Sequence, residues 1–128
     1  MTDLNRILYV EDDDDVRRLA ALTLQAVGGF TVEACASGAE ALEKVGAFAP
    51  QLLLLDVMMP GMDGPTTLER LRLLEATSAT PAIFMTAKVQ PQEVARYRAL
   101  GSLDVISKPF DPMSLSAQVR DIWNRRDG

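Results

Sequence analysis

Leu52-Leu53-Leu54-Leu55-Asp56-Val57-Met58-Met59-Pro60-Gly61-Met62-Asp63-Gly64 is the stretch that decides how this chain folds. Four consecutive leucines are too few to cross a bilayer and suit a strand buried on both faces. Such strands belong to parallel sheets with helices on either side. A carboxylate, Asp56, follows at the carboxyl end of the run, where open α/β sheets bind their ligands.

The flanking sequence repeats the arrangement. A first strand, Arg6 to Val10, runs into the acidic stretch Glu11-Asp12-Asp13-Asp14-Asp15. A second is predicted over Phe30 to Cys35, the third over Gln51 to Leu55, the fourth over Ala82 to Met85 with Thr86 at its end, and the fifth over Leu103 to Ile106. Ser107 and Lys108 follow, then Pro109-Phe110. Helical patterns fill the gaps. Asp13 or Asp14 caps the first, whose apolar face reads Val16, Leu19, Ala20, Thr23, Val27 before Gly28-Gly29 ends it. Ser37-Gly38-Ala39-Glu40 is a capping box for the second. Pro65 opens the third, with Leu68, Leu71 and Leu74 inward, and Pro91 opens the fourth. Asp111-Pro112 caps the last, with Leu115, Val119 and Ile122 on one face. Strict strand–helix alternation with right-handed crossovers gives a doubly wound, five-stranded parallel sheet in a three-layer α/β/α sandwich.

The chain has 128 residues, enough for one domain (1–128, core about 5–125), and is 48% hydrophobic, enough to bury a core. The acidic stretch alone accounts for the net charge of -5, so the acidity belongs to one place. That speaks against nucleic-acid binding by this domain. The chain has no histidine, which excludes histidine-based triads, most zinc sites and phosphohistidine on the protein itself. Its one cysteine, Cys35, cannot form an internal disulfide and reads as a buried reduced thiol. With no leader-like or membrane-spanning segment, the expected setting is the cytoplasm.

Converging strand ends would gather several carboxylates around one ammonium. Like charges a few ångströms apart repel by about 4 kcal/mol per pair at an effective dielectric near 20. A divalent cation relieves that repulsion, and an all-oxygen donor set selects a hard ion such as Mg²⁺. Taken singly, each residue has a plainer account: acids after a strand cap helices, an aspartate after a strand forms turns, and a lysine before proline faces water. Their shared position at the carboxyl ends of strands favours a site.

Ile7-Leu8-Tyr9-Val10-Glu11-Asp12, Leu55-Asp56 through Gly64, Met85-Thr86-Ala87-Lys88 and Ser107-Lys108-Pro109-Phe110 together resemble the receiver domain of two-component response regulators, the family of the chemotaxis receiver. The resemblance implies a flavodoxin-like fold with strand order 2-1-3-4-5, the order known for that receiver. It implies that Asp56 is the phosphoacceptor, that Glu11, Asp12, Asp56 and the Met58 backbone carbonyl hold Mg²⁺, and that Lys108 and Thr86 contact the phosphoryl group. It also implies a cis Lys108–Pro109 bond. The implied partners are a sensor histidine kinase or histidine phosphotransfer protein and a downstream protein, with the chain a monomer or weak dimer. The implied role is a switch, not an enzyme beyond its own phosphotransfer and autodephosphorylation. Output would leave through the fourth helix, fifth strand and fifth helix, where Arg96, Arg98, Arg120, Arg125 and Arg126 are either partner contacts or a solvated face.

Four positions depart from or tune the pattern. Relatives carry Tyr or Phe three residues before the lysine. Here Val105 stands there, and it cannot make the exposed-to-buried swing of an aromatic ring, so a weaker response is expected. Glu-Asp replaces the commoner Asp-Asp, so Glu11 is expected to reach the metal through water. Met58 and Lys88 flank the pocket mouth, and Lys88 equally suits solvent. The start, Met1-Thr2-Asp3-Leu4, and the short end after the last helix favour a stand-alone receiver over one excised from a hybrid kinase or longer regulator. An aspartate-nucleophile phosphohydrolase would want an acid where Met58 stands. A flavodoxin-type electron carrier would find its phosphate repelled by Glu11 to Asp15. A phosphate-blind pseudo-receiver would lack site residues that are all present here.

Overall fold

A computed structural model describes residues 3–87 and 89–126. In it β1 (Arg6–Val10), β2 (Thr31–Cys35), β3 (Leu52–Asp56), β4 (Ala82–Thr86) and β5 (Ser102–Ser107) form one sheet in the order β2-β1-β3-β4-β5, every pairing parallel. Helices α1 (Asp14–Ala26), α2 (Gly38–Phe48), α3 (Gly64–Arg72), α4 (Pro91–Ala99) and α5 (Leu115–Asn124) alternate with the strands. This is the doubly wound sandwich expected from the alternation, with the flavodoxin-like strand order that the resemblance implied.

The leucine run works as predicted because successive side chains point to opposite faces. Leu52 and Leu54 enter one core with Ile7, Tyr9, Ile83 and Met85, beneath α1 and α5. Leu53 and Leu55 enter the other with Leu8, Val10 and Phe84, beneath α2, α3 and α4. All four leucines are fully buried. At about 1.5–3 kcal/mol per buried leucine, this strand anchors both layers.

Several local expectations shift. β3 continues through Asp56, which pairs with Met85, so the carboxylate ends the strand itself. The buried face of α1 is Ala20, Thr23 and Leu24, while Leu19 and Val27 are exposed. Apolar side chains surround this helix, so spacing alone does not choose its inward face. Contact with α5 does: Ser116 Oγ donates to the Thr23 carbonyl at 3.2 Å. Leu74 lies past the end of α3, in a turn leading to the 3₁₀ segment Glu75–Thr77, and is exposed. Asp111 does not cap α5 directly. Its carboxylate accepts from the Met113 N–H at 3.0 Å, building a turn ahead of the helix, which starts at Leu115.

The caps of α1 and α2 match the sequence, and α3 has one that was not expected. Asp13 accepts from the N–H groups of Asp15 and Val16, and Ser37 from that of Glu40. Glu40 reaches back to the Ala36 N–H at 2.5 Å. Asp63 caps α3 by accepting from Thr66, with Pro65 in the first turn. The arginines of the α4–β5–α5 face have internal partners: Arg98 pairs with Asp104, Arg125 with Asp104 and Asp121, and Arg120 donates to the Gly28 carbonyl. Tyr97 and Trp123 are buried.

Candidate functional site

The carboxyl ends of β1, β3, β4 and β5 meet at one point. Parallel register brings them there: Val10 pairs with Leu55, Asp56 with Met85, and Thr86 with Ser107. The Lys108 N–H donates to the Thr86 carbonyl at 2.9 Å, extending the β4–β5 ladder by one step. The Lys108–Pro109 bond is cis, as the resemblance implied.

Lys108 Nζ lies 2.8 Å from Glu11 Oε1 and 3.1 Å from Asp56 Oδ1. Glu11 and Asp56 are buried, and so is Thr86. The other oxygen of Glu11, Oε2, accepts from the Asp13 N–H at 3.2 Å. The extra methylene of glutamate is thus used to reach the ammonium. Asp12 is the most open of the three acids, at the rim. One carboxylate oxygen from each of Glu11, Asp12 and Asp56 lies within 4.8 Å of the others. Asp13 is occupied in capping α1, and Asp14 pairs with Arg17, so the acidic stretch divides between site and helix start. Met58 is exposed, two residues beyond Asp56. Lys88 lies outside the described residues. Val105 is half-buried against the core that holds Phe84 and Tyr97.

The electrostatics follow from two buried carboxylates sharing one ammonium. Burial first, then the neighbouring Glu11 carboxylate, push the Asp56 pKa up to about 7 against the pull of Lys108. Burial would lower the Lys108 pKa, but hydrogen bonds and charge pairing with Glu11 and Asp56 outweigh it, and the net shift is upward. Beneath the site the Tyr9 phenol is held neutral, its pKa raised by burial and then by Glu11 and Asp56. Burial pushes the Cys35 thiol up to about 12, so it stays protonated.

This donor set fits a hard divalent cation. All ligating atoms are oxygens, two acids are buried with excess negative charge, and the third sits at the open side. The raised Asp56 pKa marks the charge crowding that a cation would relieve.

Two contacts to the backbone of the site are not expected from the sequence. Arg17 Nη1 donates to the Glu11 backbone carbonyl at 3.0 Å. Gly64 passes so close to Asp56 that a Cβ there would lie 2.4 Å from the Asp56 carbonyl oxygen. Both depend on how the β1–α1 and β3–α3 loops turn, for which the spacing of residues carries no signal.

Residues 7–120 match the family model described as "Response regulator receiver domain". The chain belongs to this family. The receiver domain is 37% identical over 125 residues to "Transcriptional regulatory protein CseB" of Streptomyces coelicolor, covering 98% of the chain and 52% of that protein. It is 37% identical over 122 residues to "DNA-binding response regulator MtrA" of Mycobacterium tuberculosis, covering 95% of the chain and 52% of that protein. The chain therefore spans about half the length of the curated relatives it matches. Among solved structures it is similar to the chemotaxis protein CheY4 of Vibrio cholerae, with a TM-score of 0.85 at 28% identity, covering 93% of this chain and 98% of that one. A response regulator from Chloroflexus aurantiacus aligns with a TM-score of 0.82 at 33% identity, covering 96% and 100%. The family acts as a signalling switch in two-component systems rather than as a classical enzyme. Among the described residues no helix is long and apolar enough to cross a membrane.

Proposed function

We propose that this receiver domain, occupying the whole chain as a single domain, takes a phosphoryl group onto Asp56 from a phosphohistidine of a sensor kinase or phosphotransfer protein. The observation that carries this reading is the position of Lys108 Nζ, within hydrogen-bond reach of both Glu11 and Asp56. An Asp56 oxygen attacks phosphorus, the phosphorus–nitrogen bond of the donor breaks, and the electron pair leaves with the donor imidazole. The product is an acyl phosphate on Asp56. Lys108 lies where it can offset charge on the transferred oxygens, and Thr86, at the adjacent strand end, is the hydroxyl poised to bond one of them.

Glu11, Asp12, Asp56 and the Met58 carbonyl would hold Mg²⁺. When bound, the ion offsets negative charge on the phosphoryl oxygens. It also favours the ionised, nucleophilic form of Asp56, which at a pKa of about 7 is otherwise partly protonated near neutrality. No acid stands two residues after Asp56: Met58 is there, exposed, so the site lacks the general acid of an aspartate-nucleophile phosphohydrolase. Cys35 as a protonated thiol suits a reducing cytoplasm.

Incubation with Mg²⁺ and a small acyl phosphate is expected to raise the intact mass by one phosphoryl group, located on the peptide containing Asp56. An unmodified chain, or a label elsewhere, would sink the reading. The phosphoryl adds about -1.5 to -2 charge at the β4 end, and the resulting population shift on α4, β5 and α5 is the output. Because Val105 is already half-buried beside Tyr97 and Phe84, amide shifts on α4 between free and phosphoryl-mimic forms are expected to be smaller than in relatives with an aromatic there. Equal shifts would refute that.

A further inference from the structure

Arg17 presents an imbalance. Its side chain is 16% exposed, while its ion-pair partner Asp14 is 68% exposed, 2.5 Å away. An exposed partner contributes little and does not explain holding a guanidinium largely out of water. The other contact does. Nη1 donates to the backbone carbonyl of Glu11 at 3.0 Å, while the Arg17 backbone N–H donates to the Asp13 carbonyl at 2.9 Å. The backbone bond is the ordinary first turn of α1, so the side chain of this one residue grips the loop at the peptide leading into Asp12. Of the groups lining the acidic site, Glu11 is held by Lys108 and by the Asp13 N–H, and Asp12 sits between these two restrained residues.

We propose that Arg17 is a positioning residue for the acidic pair: its planar fork, bridging the Glu11 carbonyl and the Asp14 carboxylate, holds the Glu11–Asp12 peptide so that both carboxylates face Asp56. The inference rests on the Mg²⁺ reading above. Arginine suits the task because its fixed fork engages two acceptors at once, which a lysine ammonium on a flexible stem cannot do with the same geometry. Residues behind metal ligands commonly change affinity by 10- to 100-fold when replaced.

The sign of the effect separates this role from the obvious alternative. A cation near an acidic site repels a second cation, so if Arg17 acted only through its charge, removing it would tighten Mg²⁺ binding. If it positions the ligands, removing it loosens binding.

The test is calorimetric titration of Mg²⁺ into the unphosphorylated wild type, Arg17→Ala and Arg17→Lys, with thermal melts in the absence of divalent ions. Both variants are expected to bind Mg²⁺ about 10-fold more weakly or worse while still melting cooperatively. Arg17→Lys keeps the charge and most of the stem, so it carries the test alone if Arg17→Ala does not fold. Variants that bind as tightly as wild type, or tighter, overturn the assignment. Failure of both to fold also overturns it, since Arg17 would then serve the fold and not the ligands. If wild type itself takes up no Mg²⁺, the metal reading above fails, and the role given to Arg17 fails with it.

Discussion

Asp56→Asn is expected to leave the protein unable to accept a phosphoryl group and, at pH 7.5 without divalent ions, about 2 kcal/mol more stable than wild type. The first half follows from the loss of the nucleophilic carboxylate. The second follows from what that carboxylate costs. Asp56 is buried beside Glu11, and a single ammonium serves both. Its pKa rises from 3.8 to about 7, burial being the largest cause. For an acid whose folded pKa lies above its unfolded value, the native state holds the proton more tightly. Stability is therefore highest below about pH 4 as far as this group is concerned, and falls as the pH rises towards 7. The whole shift corresponds to about 4 kcal/mol. An asparagine recovers only part of this, because its amide must also be desolvated and the charge-assisted bond to Lys108 is lost, hence the estimate of about 2. Urea melts at pH 5 and 7.5 would check it: the gap between variant and wild type should widen at the higher pH. A variant less stable than wild type at pH 7.5 would mean that pairing with Lys108 outweighs burial. Mg²⁺ should narrow the gap by stabilising wild type, by about 2.7 kcal/mol at a hundred times its dissociation constant.

Asp56 could be found in the sequence because its position is encoded locally. A four-leucine strand must be buried on both faces, and the residue ending it must emerge where such sheets bind ligands. Lys108 and Glu11 were visible for the same reason, each at the end of an apolar run. The sheet order was not visible from alternation: it came with the resemblance, since βαβ units can be wound in more than one order. The inward face of α1 lies one step from where the apolar spacing places it, because Leu19, Leu22 and Leu24 surround the helix and only its docking against α5 selects Leu24. The pairing of Glu11 with Lys108 depends on how far a glutamate reaches once β1 and β5 are placed on either side of β3 and β4. Close approaches between segments are set by backbone positions that only the folded chain defines. Such an approach at Gly64 bears directly on the nucleophile.

Gly64→Ala is expected to cost about 3 kcal/mol of stability and to slow phosphoryl uptake on the order of 100-fold. A Cβ at this position would meet the Asp56 carbonyl oxygen at 2.4 Å, the Val57 Cα at 2.9 Å and the Asp56 carbonyl carbon at 3.1 Å. These are backbone atoms, so no side-chain rotation relieves the clash. Retreat of α3 is opposed by the Gly64 N–H, which donates to the Val57 carbonyl at 2.9 Å, and by the Asp63 cap on Thr66. It is opposed too by Leu68 and Leu71, buried from the same helix. The strain must therefore fall partly on the peptide after Asp56, where a displacement of about 1 Å misaligns the carboxylate with an incoming phosphorus. Gly46, inside α2 with open space around its Cβ position, is the control: Gly46→Ala should be neutral or stabilising by up to about 1 kcal/mol and leave uptake unchanged. Urea melts and initial rates of mass increase on both variants separate the two effects. If Gly64→Ala matched Gly46→Ala in both measurements, α3 could back away without moving Asp56, and the close packing of its first residue would have no part in holding the nucleophile.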